Sequence, residues 1–581
     1  MTKDEVAAAL HEIGTLLEVQ GENAFRCQAY HNGATAVEQL SGDLQSLLRS
    51  GELATVRHIG PTILETITTL VQTGAHPVLS RLRAEIPTGL LEMLKVSGLG
   101  TKKVRALHEQ LGISDLASLK QACEQNEVAK LKGFGPKTQQ NILDGIAFLD
   151  RAGHRVRIDQ AAPLADALLE RLAALPGVVR SAVCGSLRRR KETIGDIDLL
   201  VSAANAQPIM DAFVTMPEVV QVTGHGETKS SVVLGLPAGR REISINCDLR
   251  VIADELFPFA LHHCTGSAAH NVRLRGRAQE RGLTLSEYGL KGDGRTIPAQ
   301  EEADIYRALD LAYITPELRE DTGEIEAAER GDVPVLVEGT DIRGVFHNHT
   351  TYSDGAATLE EMALAARALG LEYFGVGDHS QSLRIAHGLS PDAVRKQHRE
   401  IDELNARLGD IHVFKGTECD ILEDGSLDYD DEFLKCFDYV VISVHTHFNQ
   451  PIEEMTARVC RALAHPATTI LGHATGRLLL RREGYQIDLD RVLACAARHG
   501  KMIEINAQPS RLDLDWIHCK KAQALGIPIV INTDAHSPEE LDYYRYGVDV
   551  ARRGWLTKAD VFNTRPLREV RKELDRRKRV T

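Results

Sequence analysis

Between residues 344 and 531 seven short apolar runs recur: Gly344–Phe346, Tyr373–Val376, His412–Phe414, Tyr439–Ser443, Thr469–Leu471, Met502–Ile505 and Ile527–Ile531. Helical stretches such as Leu359–Ala368 separate most of them. Alternating β and α segments over roughly 240 residues predict a parallel-stranded barrel whose active site gathers at the C-terminal ends of the strands. A distorted (β/α)7 barrel is therefore expected over 342–581.

The reactive side chains sit at those ends. Phe346-His347-Asn348-His349 closes the first run and Tyr352-Ser353-Asp354-Gly355 follows it. Asp378-His379, Glu418, His445, His473 and Asp534-Ala535-His536 occupy the matching places later in the chain. A single histidine is more often structural than a ligand. Six histidines and three carboxylates at one barrel mouth instead predict a multinuclear metal site, and mixed nitrogen and oxygen ligands suit Mn²⁺, Fe²⁺ or Zn²⁺.

Composition bounds the rest. The chain of 581 residues is 43% hydrophobic and 26% charged, which fits several ordinary globular domains. Ten cysteines lie between Cys27 and Cys519 with no C-x-x-C pair, arguing against a disulfide framework or a cysteine zinc site. No apolar run approaches the ~20 residues of a membrane span, and Met1-Thr2-Lys3-Asp4-Glu5 lacks the order of a signal peptide. A cytoplasmic protein with no membrane partner is expected. The net charge of −14 weighs mildly against a nucleic-acid partner, with −4 over residues 1–320 and −10 over 321–581. Two basic clusters run against that total, Arg188-Arg189-Arg190-Lys191 and Arg576-Arg577-Lys578-Arg579.

The first 150 residues place apolar side chains three and four apart, as at Val6, Leu10, Ile13, Leu16 and Leu17, and predict an all-helical region. Three similar turns punctuate it, around His58-Ile59-Gly60-Pro61, Gly98-Leu99-Gly100-Thr101-Lys102 and Gly133-Phe134-Gly135-Pro136-Lys137. A Gly-x-Gly turn before a helix leaves backbone N–H groups free to hold a phosphate without reading the base. The turns resemble helix-hairpin-helix DNA-binding motifs, which implies phosphate contacts from Gly60, Gly98, Gly100, Lys102, Gly133, Gly135 and Lys137.

From Val178 the pattern becomes β-rich, with runs at Ser181–Cys184, Ile197–Val201, Ser230–Leu234 and Ile243–Ile252. Gly195-Asp196-Ile197-Asp198 sets two acids at i and i+2 on a strand, so both leave the same face. Asp248, in Asn246-Cys247-Asp248-Leu249-Arg250, is a third acid on another strand pattern. Like charges this close call for a hard cation between them, and a triad of this kind suits two-metal phosphoryl transfer.

Gly185-Ser186-Leu187-Arg188-Arg189 precedes the pair, and the whole constellation resembles the nucleotidyltransferase fold of family X DNA polymerases. Thr265-Gly266-Ser267-Ala268-Ala269-His270-Asn271 is similar to that family's nucleotide-contacting turn, and Ala303-Asp304-Ile305-Tyr306 with Pro316 to the end of its thumb. The resemblance covers residues 1–320. It implies a lyase-like helical domain (1–85), fingers (86–150), palm (151–255) and thumb (256–320). The polar, acidic stretch Asp321–Gly339, with Gly323, Gly331, Pro334 and Gly339, reads as a linker (321–341) to the barrel. By the same likeness Asp196, Asp198 and Asp248 bind Mg²⁺ or Mn²⁺, Gly185, Ser186 and Arg189 meet the triphosphate of a dNTP, and Gly266, Ser267 and Asn271 contact the nucleotide. Arg26 becomes a gap-phosphate contact on gapped or nicked DNA with a 5′ phosphate. Two positions depart from the family. Thr66 stands where a lyase lysine would be, which puts imine chemistry in doubt, and His263-Cys264 replaces Tyr-Phe, which implies weaker rejection of ribonucleotides.

The histidine set resembles the polymerase and histidinol phosphatase (PHP) domain, whose nine ligand positions match His347, His349, Asp354, His379, Glu418, His445, His473, Asp534 and His536. Thr475-Gly476-Arg477 and Arg511-Leu512-Asp513-Leu514 are similar to segments of the form fused to bacterial family X polymerases. The resemblance implies up to three ions, with Arg477 or Arg511 stabilising charge, in a 3′-5′ exonuclease or phosphoesterase that extends to abasic-site cleavage. A gap-filling repair polymerase with a trimming nuclease, acting as a monomer, is the expected whole. Two alternatives stay open: a barrel that is a tethered small-molecule phosphatase, and a DNA-end scaffold whose metal sites only stabilise the fold.

Overall fold

The computed structural model describes all residues except 2, 39, 41–43, 97, 154, 237–242, 293 and 579–581. Ser97 of the second turn and Arg579 of the C-terminal basic cluster thus lie outside the described residues. The chain forms two compact units, Met1–Arg155 together with Gly235–Ser244, and Val156–Leu234 together with Ile245–Thr581.

The first unit is helical, as the apolar spacing predicts. Val6, Leu10, Ile13, Leu16 and Leu17 on α1 (Lys3–Gln20) are buried in one core with residues from α2 (Ala24–Glu38), α3 (Pro61–Thr73), α4 (Thr101–Leu111) and α5 (Pro136–Ala152). Gly60, Gly100 and Gly135 are the N-cap residues of α3, α4 and α5, and proline opens α3 and α5, where its missing N–H costs no helical bond.

The second unit opens with a five-stranded sheet of order β1-β2-β5-β4-β3, formed by β1 (Val178–Val183), β2 (Asp196–Ala203), β3 (Val219–His225), β4 (Lys229–Leu236) and β5 (Ile243–Ile252). β2 runs antiparallel to β1 and parallel to β5, in a register that sets Asp198 beside Asp248. A smaller three-stranded sheet follows over Thr284–Ser286, Gly289–Gly292 and Arg295–Ile297.

The stretch 321–341, expected as a linker, is folded. It carries α6 (Glu324–Arg330), on which Glu324 is fully buried and Ile325 and Ala328 join a core with Leu274, Ile305 and Tyr306. Its acidic character is spent internally. The Glu324 carboxylate bonds His270 Nδ1 at 2.8 Å and accepts the backbone N–H groups of Asp321 and Thr322.

Each of the seven apolar runs of the last third contains a strand: β6 (Gly344–Val345), β7 (Tyr373–Gly375), β8 (His412–Phe414), β10 (Tyr439–Ser443), β11 (Ile470–Leu471), β12 (Met502–Asn506) and β13 (Ile529–Asn532). An eighth, β9 (Gly416–Asp420), follows β8 after Lys415 alone. The break divides the barrel into parallel sheets β6-β7-β8 and β9-β10-β11-β12-β13. Parallel bridges His379↔Glu418, beyond the end of β7, and Asn348↔Ala535, beyond the ends of β6 and β13, join the two sheets, so the barrel closes at its mouth. Inside it lies an apolar core of Phe346, Tyr373, Phe414, Tyr439 and Phe562, with Val570 and Leu574 of the C-terminal helix packed against it. Truncating a buried ring such as Phe346 to alanine would cost about 3–5 kcal/mol.

Candidate metal centres on the sheet and in the barrel

On the five-stranded sheet Asp196 is exposed, while Asp198 and Asp248 are half-buried on adjacent strands. Burial first, then the charges of Asp196 and Asp248, push the Asp198 carboxyl up to about 6. Lys229 Nζ lies 2.7 Å from one Asp248 oxygen, and the Ser231 hydroxyl donates to the other at 2.6 Å. Three carboxylates on adjacent strands form a donor set that a divalent cation satisfies. Gly185 adopts φ +60°, and a Cβ there would lie 2.3 Å from Asp198 Oδ2. Only glycine lets the turn approach the carboxylate so closely. Beside it the Ser186 hydroxyl oxygen is buried without a hydrogen-bond partner.

Arg189, expected at a triphosphate, is bonded within the protein beside the Thr265-Gly266-Ser267 turn. Its Nε donates to Glu320 at 3.1 Å and its Nη1 to the Thr265 carbonyl at 2.5 Å, in a nearly buried position. The neighbouring Arg188 bonds Glu302 and Thr265, and Arg190 faces Asp549 at 3.7 Å. The basic run is thus spent on partners more than seventy positions away. Ser267 caps the helix Ala268–Glu280 by accepting from His270 N–H, and Gly266 lies over Arg189. Asn271 donates to the His263 carbonyl at 2.9 Å while its amide oxygen is buried and unpartnered.

In the helical unit, a Cβ at Gly60, Gly98, Gly100, Gly133 or Gly135 would meet nothing within 4 Å, so these turns have open space on that side. Gly135 takes φ +126°, beyond the reach of other residues. Lys102 and Lys137 stand in the first turn of α4 and α5. Arg26 is paired with Glu22 at 2.8 Å. Thr66 is buried and its hydroxyl bonds the Thr62 carbonyl at 2.8 Å, which leaves no nucleophile there.

At the barrel mouth the predicted ligands converge. Glu418, fully buried, is the hub. Its Oε2 lies 2.9 Å from His379 Nδ1, 3.3 Å from His347 Nε2 and 3.8 Å from His349 Nε2, and its Oε1 lies 2.8 Å from His473 Nε2 and 3.3 Å from His445 Nε2. Asp354 gathers His349, His379 and His536, each at 3.5 Å. Asp534 Oδ1 meets His349 Nε2 at 3.1 Å and His347 Nε2 at 3.7 Å. Among the described residues three groups bring ligand atoms within 4.8 Å of one another: His349, Asp354, His379 and His536; His347, His349 and Asp534; and His379, Glu418 and His445. His473 lies outside these groups, with its Nε2 2.8 Å from Glu418 Oε1. The palm acids are not among them either.

The ring nitrogens fit a cation. His347 Nε2, both nitrogens of His349 and His379 Nδ1 are buried with no hydrogen-bond partner. Burial, with His536 and His379 close by, holds His349 down at about 3, so it stays a neutral ligand. Burial also acts against charge on His379 and His445, but Glu418 and the flanking acids outweigh it and raise them to about 10 and about 9.

Two orienting acids escaped the sequence reading. Asp420 bonds His445 Nδ1 at 2.6 Å, and Glu504 bonds His347 Nδ1 at 2.8 Å. An acid inside an apolar strand, as in Met502-Ile503-Glu504-Ile505, was the available signal. Arg511 Nε stands 3.5 Å from Asp534 Oδ2 and so faces the site. Arg477 does not. Its guanidinium donates to the carbonyls of Arg511 and Leu512, so it holds the Arg511 loop rather than the reacting group.

A nucleotidyltransferase-like sheet with an acid triad, joined in one unit to a histidine-rich metallohydrolase barrel, defines a two-site phosphoryl-transfer enzyme. The chain matches the helix-hairpin-helix domain family over residues 1–76, the SAM-like helix-hairpin-helix tandem over 90–147, the DNA polymerase beta thumb over 260–320 and the PHP domain over 346–508. It is 38% identical over 580 residues to the DNA polymerase/3′-5′ exonuclease PolX of Bacillus subtilis, covering 99% of this chain and 100% of that protein. It is 24% identical over 341 residues to DNA polymerase lambda of Rattus norvegicus, covering 54% and 56%. A probable phosphatase of Thermoanaerobacter matches at 28% over 230 residues, 38% of this chain and 89% of its own. The chain belongs to the family X DNA polymerases that carry a C-terminal PHP domain. Among the described residues no helix is long and apolar enough to cross a membrane.

Proposed function

We propose that the chain fills short gaps in DNA during repair and trims 3′ ends with its barrel. The observation that carries this is the presence, in one compact unit, of three acids on adjacent strands of a sheet and of nine histidines and acids gathered around Glu418, Asp354 and Asp534 at a barrel mouth. Mg²⁺ or Mn²⁺ at the triad, and Mn²⁺, Zn²⁺ or Fe²⁺ at the barrel, would supply Lewis-acid polarisation of the phosphoryl group and a lowered pKa for the attacking hydroxyl or water.

The protein's own groups do the rest. Asp196, Asp198 and Asp248 hold the palm cations, and the Ser186 hydroxyl and Asn271 amide oxygen, both buried and unpartnered, receive the dNTP. The hairpin turns and their lysines bind DNA phosphates on a gapped or nicked duplex with a 5′ phosphate. In the barrel His347, His349, Asp354, His379, Glu418, His445, His473, Asp534 and His536 are ligands, and Arg511 meets charge that develops on the scissile phosphate. Arg477 keeps Arg511 in place.

The likeness of the barrel to probable phosphatases favours a second reading, hydrolysis of free phosphomonoesters. Separation of function tests the first. Asp198→Ala should abolish incorporation and spare 3′ trimming, and His349→Ala should do the reverse. Incorporation that survives Asp198→Ala removes the palm assignment. Release of phosphate from a free monoester with DNA ends untouched selects the second reading.

A further inference from the structure

The helix α7 (Tyr544–Arg553) packs so tightly on the barrel that a Cβ at Gly547 would lie 2.6 Å from Ile531 and 2.8 Å from Ala507. These neighbours belong to, or directly follow, the strands that end at Asn506 and Asn532, just before Asp534. From the same helix Arg553 turns the other way, toward the palm. Its guanidinium is 1% exposed and lies 4.9 Å over the Trp516 ring. A charge so deeply buried is costly unless its donors are matched.

Two acids match it. Arg553 Nη1 donates to Glu192 at 2.7 Å, and its Nη2 lies 3.4 Å from Glu320. Each acid leads on to one active site. Glu320 also accepts from Arg189, whose Nη1 bonds the carbonyl of Thr265, the residue before Gly266 and Ser267. Glu192 lies 3.9 Å from Arg477, whose guanidinium bonds the carbonyls of Arg511 and Leu512, and Arg511 faces Asp534 at 3.5 Å. One turn back on the helix, Asp549 faces Arg190 at 3.7 Å with the charges reversed.

We propose that Arg553 is a positioning residue for both reactions, fixing the nucleotide turn of the palm through Glu320 and the Arg511 loop of the barrel through Glu192. It touches neither substrate. Its effect is geometric, because rigid side chains matched to buried acids hold each loop at a set distance from its reacting group. The inference rests on the two-activity reading above, and the test separates the two.

The test uses the full chain with Mn²⁺, following dNTP incorporation on gapped DNA, excision of a 3′ end and bound metal. Glu192→Gln keeps the volume and removes the charge shared by Arg553 and Arg477. It should lower kcat of excision about tenfold per folded, metal-loaded molecule, with barrel metal content unchanged. Arg553→Lys should show that loss and also raise KM for dNTP about fivefold with kcat of incorporation within about twofold, while Arg553→Met should be worse in both. Combining Glu192→Gln with Arg477→Lys should cost no more than Arg477→Lys alone, since both break one connection.

The proposal is overturned if Glu192→Gln changes excision less than twofold. It is also overturned if both activities fall in proportion to lost metal or lost folded protein, the signature of simple packing. Should Arg553→Met not fold, the KM-against-kcat split in Arg553→Lys decides alone. Wild-type protein that incorporates nucleotides but never excises would instead count against the nuclease reading, leaving the palm branch to be judged by the dNTP split.

Discussion

Glu504 lies 2.8 Å from His347 Nδ1 through one carboxylate oxygen and accepts the His473 backbone N–H at 2.8 Å through the other. One buried acid therefore sets both the ring orientation of a ligand and the backbone beside a second. The Nδ1 contact leaves His347 Nε2 facing Glu418 and Asp534. Glu504→Gln should weaken barrel metal binding by about 10- to 100-fold, with matching loss of 3′ trimming and unchanged incorporation. Titration of the purified variant with Mn²⁺ checks it.

Gly185 carries the palm equivalent. A methyl group there would collide with Asp198 Oδ2 at 2.3 Å on a backbone that disfavours side chains. Moving the carboxylate by about 1 Å costs on the order of 100-fold in rate, so Gly185→Ala should reduce incorporation by that factor. Excision should be unaffected, and a gapped-duplex assay beside a 3′-trimming assay measures both.

The barrel should lose stability in mild acid. Burial, and then Lys415, hold His398 down at about 4, and burial with Arg571 holds His412 at about 4. Both fold as neutral rings, so the folded state binds fewer protons than the unfolded chain. Stability is then full above the ordinary histidine value of about 6.5 and declines as pH falls from there toward 4. Thermal midpoints measured from pH 7 to pH 4.5 should fall for the wild type and fall less steeply for His398→Gln.

Lys102 and Lys137, in the first turn of α4 and α5, meet phosphates rather than bases on the reading proposed above. Replacing both by alanine should weaken binding to gapped DNA of any sequence alike. The slope of log affinity against log salt should shrink by about two, close to one for each phosphate no longer neutralised. Binding titrations at several salt concentrations give the slope directly, and an unchanged slope would assign the turns a purely structural role.

The periodicities that announce strands and helices are local, and they carried far. Every apolar run of the barrel contained a strand, and the i, i+2 spacing of Asp196 and Asp198 set them on one strand beside Asp248. The strand Gly416–Asp420 was missed because Glu418 and Asp420 interrupt its apolar character. Their burial is tolerated only because His445, His473 and other histidines surround them. Glu324 misled in the same way, since an acid in a Gly-containing stretch reads as linker until His270 is seen against it.

Residue types and their spacing thus marked out, from the chain alone, nine histidines and acids near strand ends, three acids on a sheet and glycines before helices. Only the tertiary structure decided where the arginines point. Arg188, Arg189 and Arg190 find Glu302, Glu320 and Asp549, and Arg477 finds the carbonyls of its neighbouring loop. A charge is satisfied by whatever opposite charge or dipole folding brings near it, and that partner can lie hundreds of positions away, where no local pattern records it.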